Sequence, residues 1–137
     1  MTTSIVTKSA ISDSEYDAHF NRLFGINFLV RLEPQFFYTA RELSADYTSG
    51  TWDFFALSNG GFYMSPRCET LFEVSCASGA KAKLSADGFG ITVCLVAFSR
   101  LSFGGDAFAE TCGRHYYLLR KYMFEHFEVS AILRATD

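Results

Sequence analysis

The sequence has no excess of charge of either sign. Fifteen acids against twelve bases leave a net charge of −3 over 137 residues. Non-specific binding of nucleic acid releases counterions from a basic surface, and the surplus to build one is missing. Imitating a duplex needs the reverse, about one negative charge per 1.7 Å of helix axis. Scattered acids that are mostly balanced by bases do not draw that pattern. Long apolar runs are missing too. The longest with no charge and few polar groups, FGITVCLVAF at 89–98, falls well short of the about 18 residues that cross a bilayer. MTTSIVTKSAISDSEYD has no basic stretch leading into an apolar one, so no secretory leader is expected there. Four cysteines (Cys68, Cys76, Cys94, Cys112) include no CxxC pair. They read as small core fillers of a reduced, cytoplasmic protein.

What the sequence does have is apolar mass. Hydrophobic residues make up 49% of it, with 15 Phe, enough for one self-sufficient core at this length. Residues 1–12 are Ser/Thr-rich and aperiodic, and are expected as a loose arm ahead of a single domain over 13–137. Ser14 and Asp17 resemble a capping box, followed by Tyr16, Phe20, Leu23 and Phe24 on one helical face. Gly25 closes that helix. INFLVRL (26–32) fits helix or buried strand, and Pro34 suits the start of a second helix carrying Phe36, Ala40, Leu43 and Tyr47.

WDFFALSNGGFYMSP (52–66) then gives the strongest local signal, since Asn-Gly between apolar runs marks a β-hairpin. With Asn59-Gly60 as a two-residue turn, Leu57 faces Phe62 and Phe55 faces Met64, while Ala56 faces Tyr63 and Phe54 faces Ser65. Both faces are therefore apolar, which places helices on at least one of them. The other reading leaves Trp52, Phe54 and Tyr63 exposed as a docking surface. TLFEVSC (70–76) and KAKLS (81–85) form two further strands, joined near Ser78-Gly79, and these alternate as a sheet with one wet face does. From Ser85 the signals conflict. Ala86, Phe89, Val93, Val96 and Ala97 suit a helix capped by Ser85, whereas Asp87-Gly88 and ITVCLV suit a hairpin. The unbroken length of the segment favours helix. Asp106 caps a last helix whose apolar residues are Phe108, Cys112, Tyr116, Leu119, Met123 and Phe127, with a short final piece ending near Arg134. The fold class is thus α+β: a small antiparallel sheet of about three or four strands with four or five helices.

Chemistry-bearing groups are sparse. Cys112 and His115 share a helix face at a spacing that suits a metal pair or a nucleophile pair, and Glu110 is nearby. No second ligand pair accompanies them, so packed helix residues are the simpler reading. His126 lies too far along the helix to join them, and His19 is expected to face solvent. SNGGF and DGFG lack the strand–GxGxxG–helix setting, and no GxxxxGK[ST] or GxSxG is present. Arg114, Arg120 and Lys121 gather on the last helix, with Arg114 and Lys121 on one face. They read as a solvated face or a small patch for an acidic partner. No catalytic residue, metal or cofactor is expected, and the candidate surface is Trp52, Phe54, Tyr63, Arg114 and Lys121.

Three stretches, RLFGINFLVRLEP (22–34), WDFFALSNGGFYMSP (52–66) and LSADGFGITVCLVAFSRLSF (84–103), resemble the KlcA/ArdB antirestriction family. The resemblance runs from about Tyr16 to the C-terminal helix and is most specific in the middle stretch. It implies a compact α/β fold, a helix over 85–102, and relief of type I restriction–modification of incoming DNA by a mobile-element protein. It brings no catalytic residues. Partners it leaves open are a restriction-enzyme subunit, an assembly intermediate or a third host factor, with no strong direct DNA binding and no membrane. A small cytoplasmic enzyme with a cryptic site at Glu110, Cys112 and His115, or a general interaction module, is the alternative.

Overall fold

The computed structural model describes residues 5–76 and 79–136. The chain runs β1 (Lys8–Ile11), α1 (Tyr16–Phe24), a π-helical turn (Phe28–Leu32), α2 (Glu33–Leu43), β2 (Trp52–Leu57) and β3 (Phe62–Pro66). It continues through β4 (Phe72–Ser75), β5 (Lys81–Leu84), α3 (Ala86–Leu101), a 3-10 turn (Ser102–Gly104), α4 (Ala107–Met123) and α5 (Val129–Thr136). The fold is α+β. Its strands make two antiparallel sheets, β1-β2-β3 and β4-β5, rather than one.

The conflict after Ser85 is settled as helix. Ser85 Oγ accepts a hydrogen bond from Gly88 N at 3.1 Å, and Asp87 and Arg100 lie at the ends that suit their charges. From Gly88 to Leu95 every residue is buried, so α3 has no wet stripe and shows no amphipathic period. Thr92 escapes a polar penalty there by donating to Gly88 O at 2.9 Å. Together with its 3-10 turn this helix is long and apolar enough to cross a membrane by length and composition. Its burial in the core accounts for the same composition.

The hairpin differs from expectation by one residue of register. Leu57 N donates to Gly61 O at 2.9 Å and Gly60 N to Leu57 O at 3.0 Å. The loop therefore has three residues, and Gly60 takes the left-handed position at φ 94°. Phe54 consequently faces Met64, Phe55 faces Tyr63, and Trp52 faces Pro66. That slip moves Tyr63 to the face opposite Trp52 and Phe54. On the Phe54 side, Phe62 meets Phe20, Phe24, Phe36 and Phe98. On the other, Tyr63 stacks between Phe55 and Tyr122. Both apolar faces are covered, where the lack of alternation called for cover on at least one.

Other expectations shift in detail. The arm expected to be loose contains β1, which pairs with β2 from Lys8↔Leu57 to Ile11↔Phe54; residues 1–4 lie outside the described residues. β2 needs an edge partner, and Ser/Thr-rich sequence supplies one without any apolar period to announce it. No capping box forms at Ser14: Glu15 occupies the N-cap without a side-chain capping bond, and its carboxylate instead accepts from Ser12 Oγ at 2.6 Å. INFLVRL is helical, not strand. Pro34 has no N–H to give, and the ladder widens just ahead of it, where Glu33 N donates to Phe28 O. α2 stops at Leu43, so Tyr47 is not helical; it accepts from Trp52 Nε1 at 3.1 Å. Of the turn placed at Ser78-Gly79, Ser78 lies outside the described residues. α4 buries Phe108, Cys112, His115, Leu119 and Met123, while Phe127 lies beyond its end and is exposed. Cys76, Cys94 and Cys112 are core fillers, whereas Cys68 is exposed.

The layers meet most closely where α3 crosses β3. A Cβ added at Gly90 would stand 2.5 Å from Ser65 Cβ and 2.6 Å from Ser65 Cα, with Met64 O also too near. Cys94 Sγ completes the contact by donating to Met64 O at 3.7 Å. A helix backbone thus lies directly on the edge strand, which hides that edge from other chains. Gly90→Ala forces two backbones apart and is expected to cost about 2–4 kcal/mol, read as a lower urea midpoint at unchanged slope. Wild-type stability in that variant would contradict the close approach.

Candidate functional site

The sequence-based candidate surface does not assemble. Trp52 is 5% exposed and Tyr63 is fully buried, on opposite faces of the sheet; Phe54 is half-buried against Tyr16 and Phe20. These rings are core, because helices cover both faces of the hairpin. Arg114 and Lys121 do lie together on the solvent side of α4.

The Glu110, Cys112 and His115 grouping also separates. Glu110 is exposed, while Cys112 and His115 point inward. Burial pushes the Cys112 thiol up to about 12, so the thiolate a nucleophile needs is disfavoured. Burial, then Arg114 and His19, lower His115 to about 4. Its ring packs on Phe24, Phe62 and Phe98, and Nδ1 has no partner. His19 is half-buried beside Phe20 rather than solvent-facing. Among the described residues no group of three His, Cys, Asp or Glu is placed to hold a metal ion.

A polar cluster that sequence reasoning missed is centred on Asp87. Its Oδ1 accepts from Tyr63 OH at 2.6 Å and from Lys8 Nζ at 3.1 Å, and Oδ2 meets His126 Nε2 at 2.8 Å. His126 Nδ1 accepts from Glu128 N at 3.0 Å, which places the ring proton on Nε2, donating to Asp87. Glu128 then reaches back to Ser85 N at 2.8 Å and to Ser85 Oγ. Lys8 also sits 4.4 Å over the Phe55 ring. Four segments far apart in sequence therefore share one carboxylate: β1, β3, the first turn of α3 and the turn after α4. Burial alone would raise Asp87, but the hydrogen bonds from His126, Tyr63 and Lys8 outweigh it and hold the carboxyl down at about 2. In the sequence Asp87 stood out only within Asp87-Gly88, a hairpin signal. Every group around it has a partner, so the cluster reads as a tie between elements and not as a reacting centre.

Outside that tie, the exposed face of α4 stands out. Glu110, Arg114, Tyr117, Lys121 and Phe124 follow at steps of four, three, four and three, one stripe of the helix. Tyr117 is 65% exposed and Phe124 51%. Arg120 lies beside the stripe, 4.9 Å over the Phe124 ring. Among the described residues Arg114, Arg120 and Lys121 enter no ion pair.

With this geometry in hand, comparison with known proteins is decisive. The family model described as antirestriction protein matches residues 45–137. This chain belongs to the antirestriction protein family. Among its relatives is the uncharacterized protein YafX of Escherichia coli K12, 41% identical over 77% of this chain and 70% of that protein. An Escherichia coli antirestriction protein KlcA is 30% identical over 96% of this chain and 95% of its own. A solved structure from work on the KlcA and ArdB proteins superposes with a TM-score of 0.88 at 31% identity, covering all of both chains. That work describes a novel fold and antirestriction activity against type I DNA restriction systems in vivo but not in vitro. The family match takes in the hairpin, Asp87, α4 and His126, while β1 and α1 precede it.

The Asp87 tie has a testable signature in this family member. Its carboxyl lies at about 2 when folded against an ordinary 3.8, so its contribution is complete above about pH 4 and is lost as pH falls towards 2. A shift of that size corresponds to about 2 kcal/mol. Asp87→Asn is expected to lose roughly that much at neutral pH and to show a flatter acid limb, measured by urea unfolding across pH. An unchanged acid limb in the variant would remove Asp87 from this role.

Proposed function

We propose that this protein relieves type I restriction of incoming DNA inside the cell, by contact with protein and without chemistry of its own. Family membership and the full-length likeness to a structure with that reported activity support the restriction target. The activity described for that structure in vivo but not in vitro supports a route that needs something more than the purified restriction enzyme. We place the action in the cytoplasm.

The observation that carries the argument against imitation of DNA is where the acids are engaged. Asp87 holds Lys8, Asp106 holds Arg31, Asp53 holds Arg67, Glu73 holds Lys81 and Glu42 holds Arg100. Asp46 accepts from Glu73 N, Glu125 from Val6 N and Glu128 from Ser85 N. These eight carboxylates are engaged by bases or backbone N–H groups on separate elements of the fold, which supports a role other than imitation of a duplex. For a non-catalytic role, the support is the burial of Cys112 and His115 and the completed bonding around Asp87.

Unmodified phage should plate more efficiently on a type I restricting host that expresses this protein than on one that does not, approaching the efficiency of modified phage. Equal plating would reject the function. Purified protein should fail to compete DNA off the restriction enzyme even at low salt, and effective competition would restore imitation of DNA.

A further inference from the structure

The contact reading above requires a surface. Outside α4, Arg31, Arg67, Lys81 and Arg100 each hold a carboxylate, while Arg22, Arg41, Lys83 and Arg134 enter no ion pair among the described residues and stand one each on α1, α2, β5 and α5. α4 differs in gathering three such bases on one helix. Arg114, Arg120 and Lys121 have no ion pair among the described residues, although the protein as a whole is acidic by three charges. Arg120 and Lys121 complement the helix C-terminus. That explains neither Arg114 in mid-helix nor the two rings left in water beside it.

From Glu110 to Phe124 the stripe spans about 21 Å at 1.5 Å per residue. Tyr117 lies between Arg114 and Lys121, and Phe124 follows Lys121. Exposed Tyr and Arg on one rigid helix face are the residue types that anchor protein interfaces. Unpaired cations around them steer and orient a partner of opposite sign. We propose that this stripe is the docking face for an acidic surface of another protein, one that sets carboxylates against Arg114 and Lys121 and apolar side chains against Tyr117 and Phe124. Nucleic acid suits it less well. A duplex of the same length carries about 12 phosphates, against three bases, an acid at the near end of the stripe and a net negative protein.

The inference rests on the contact reading, and one plating experiment separates their failures. Restricting cells express wild type, Arg114→Glu/Lys121→Glu, Arg114→Gln/Lys121→Gln, Tyr117→Ala/Phe124→Ala, or a control reversal at exposed bases elsewhere, Arg41→Glu/Lys83→Glu. Thermal melts by circular dichroism confirm folding, and the Gln pair is read in place of the Glu pair should the latter not fold. The expected result is loss of about tenfold or more of the relief in the Glu pair, a smaller loss in the Gln pair, and a loss in the Ala pair. The control keeps wild-type relief. The Glu pair falls below the Gln pair because an added carboxylate is repulsive only against an acidic face. A photoreactive benzoylphenylalanine at position 117 should form, in the same cells, an adduct that survives nuclease and disappears in the Glu pair.

Wild-type relief in the Glu and Ala pairs overturns the docking face and leaves the contact reading standing. Equal loss in the Glu and Gln pairs overturns the acidic partner. An adduct that nuclease destroys makes the stripe a nucleic-acid face, and an adduct only with a second copy of this chain makes it a self-contact; either overturns the proposal. No relief by wild type removes the contact reading, and this inference with it.

Discussion

The whole arrangement depends on α3 lying with its backbone directly on β3. The approach is possible only because Gly90 has no side chain to set against Met64 and Ser65. Once the two backbones touch, the hairpin cannot keep a wet face on that side. The remaining helices then close around what is left apolar. Phe62 and Phe98 pack edge to face, with Phe36 and His115 around them. Interiors packed at crystal-like density transmit such a constraint, since each ring fixes the next. The same contact covers a strand edge that would otherwise invite pairing with another chain.

Asp87 adds a directional constraint to that non-directional core. Apolar packing tolerates small slides, whereas a carboxylate shared by Tyr63, Lys8 and His126 does not. It fixes β1, which has few buried side chains of its own, against the start of α3. It also fixes the turn after α4, and therefore the direction in which α4 presents its outer stripe. The link from core to surface is thus physical: the tie that orders the N-terminal strand also positions the helix bearing Arg114 and Tyr117.

Much of the fold was legible in the residues. Ser85, Asp106 and Gly25 marked helix ends, Asn59-Gly60 marked the hairpin, and the absence of alternation in WDFFAL and FYMSP called for helices on at least one face. The alternation of Phe72, Val74 and Cys76 gave the wet face of the second sheet. The register was not legible, because an SNGG turn serves a two- or a three-residue loop and only the neighbouring α4 distinguishes them: Asn59 Nδ2 donates to Leu118 O at 2.9 Å. β1 was missed since an edge strand takes its order from its partner rather than from its own pattern. The buried stripe of α4 was read with Tyr116 in place of His115, because hydropathy ranks a tyrosine as more apolar than a histidine that is held neutral by burial.

By itself the sequence determined the class of fold, the family and the near balance of acids and bases, since each depends on composition and local order alone. The tertiary structure decided which aromatic residues are core and which face solvent. It also decided that Asp87 meets Lys8 and His126, partners 79 and 39 residues away. Local patterns carry no information about contacts over such separations. They arise only when the chain closes on itself and each buried polar group must find a partner.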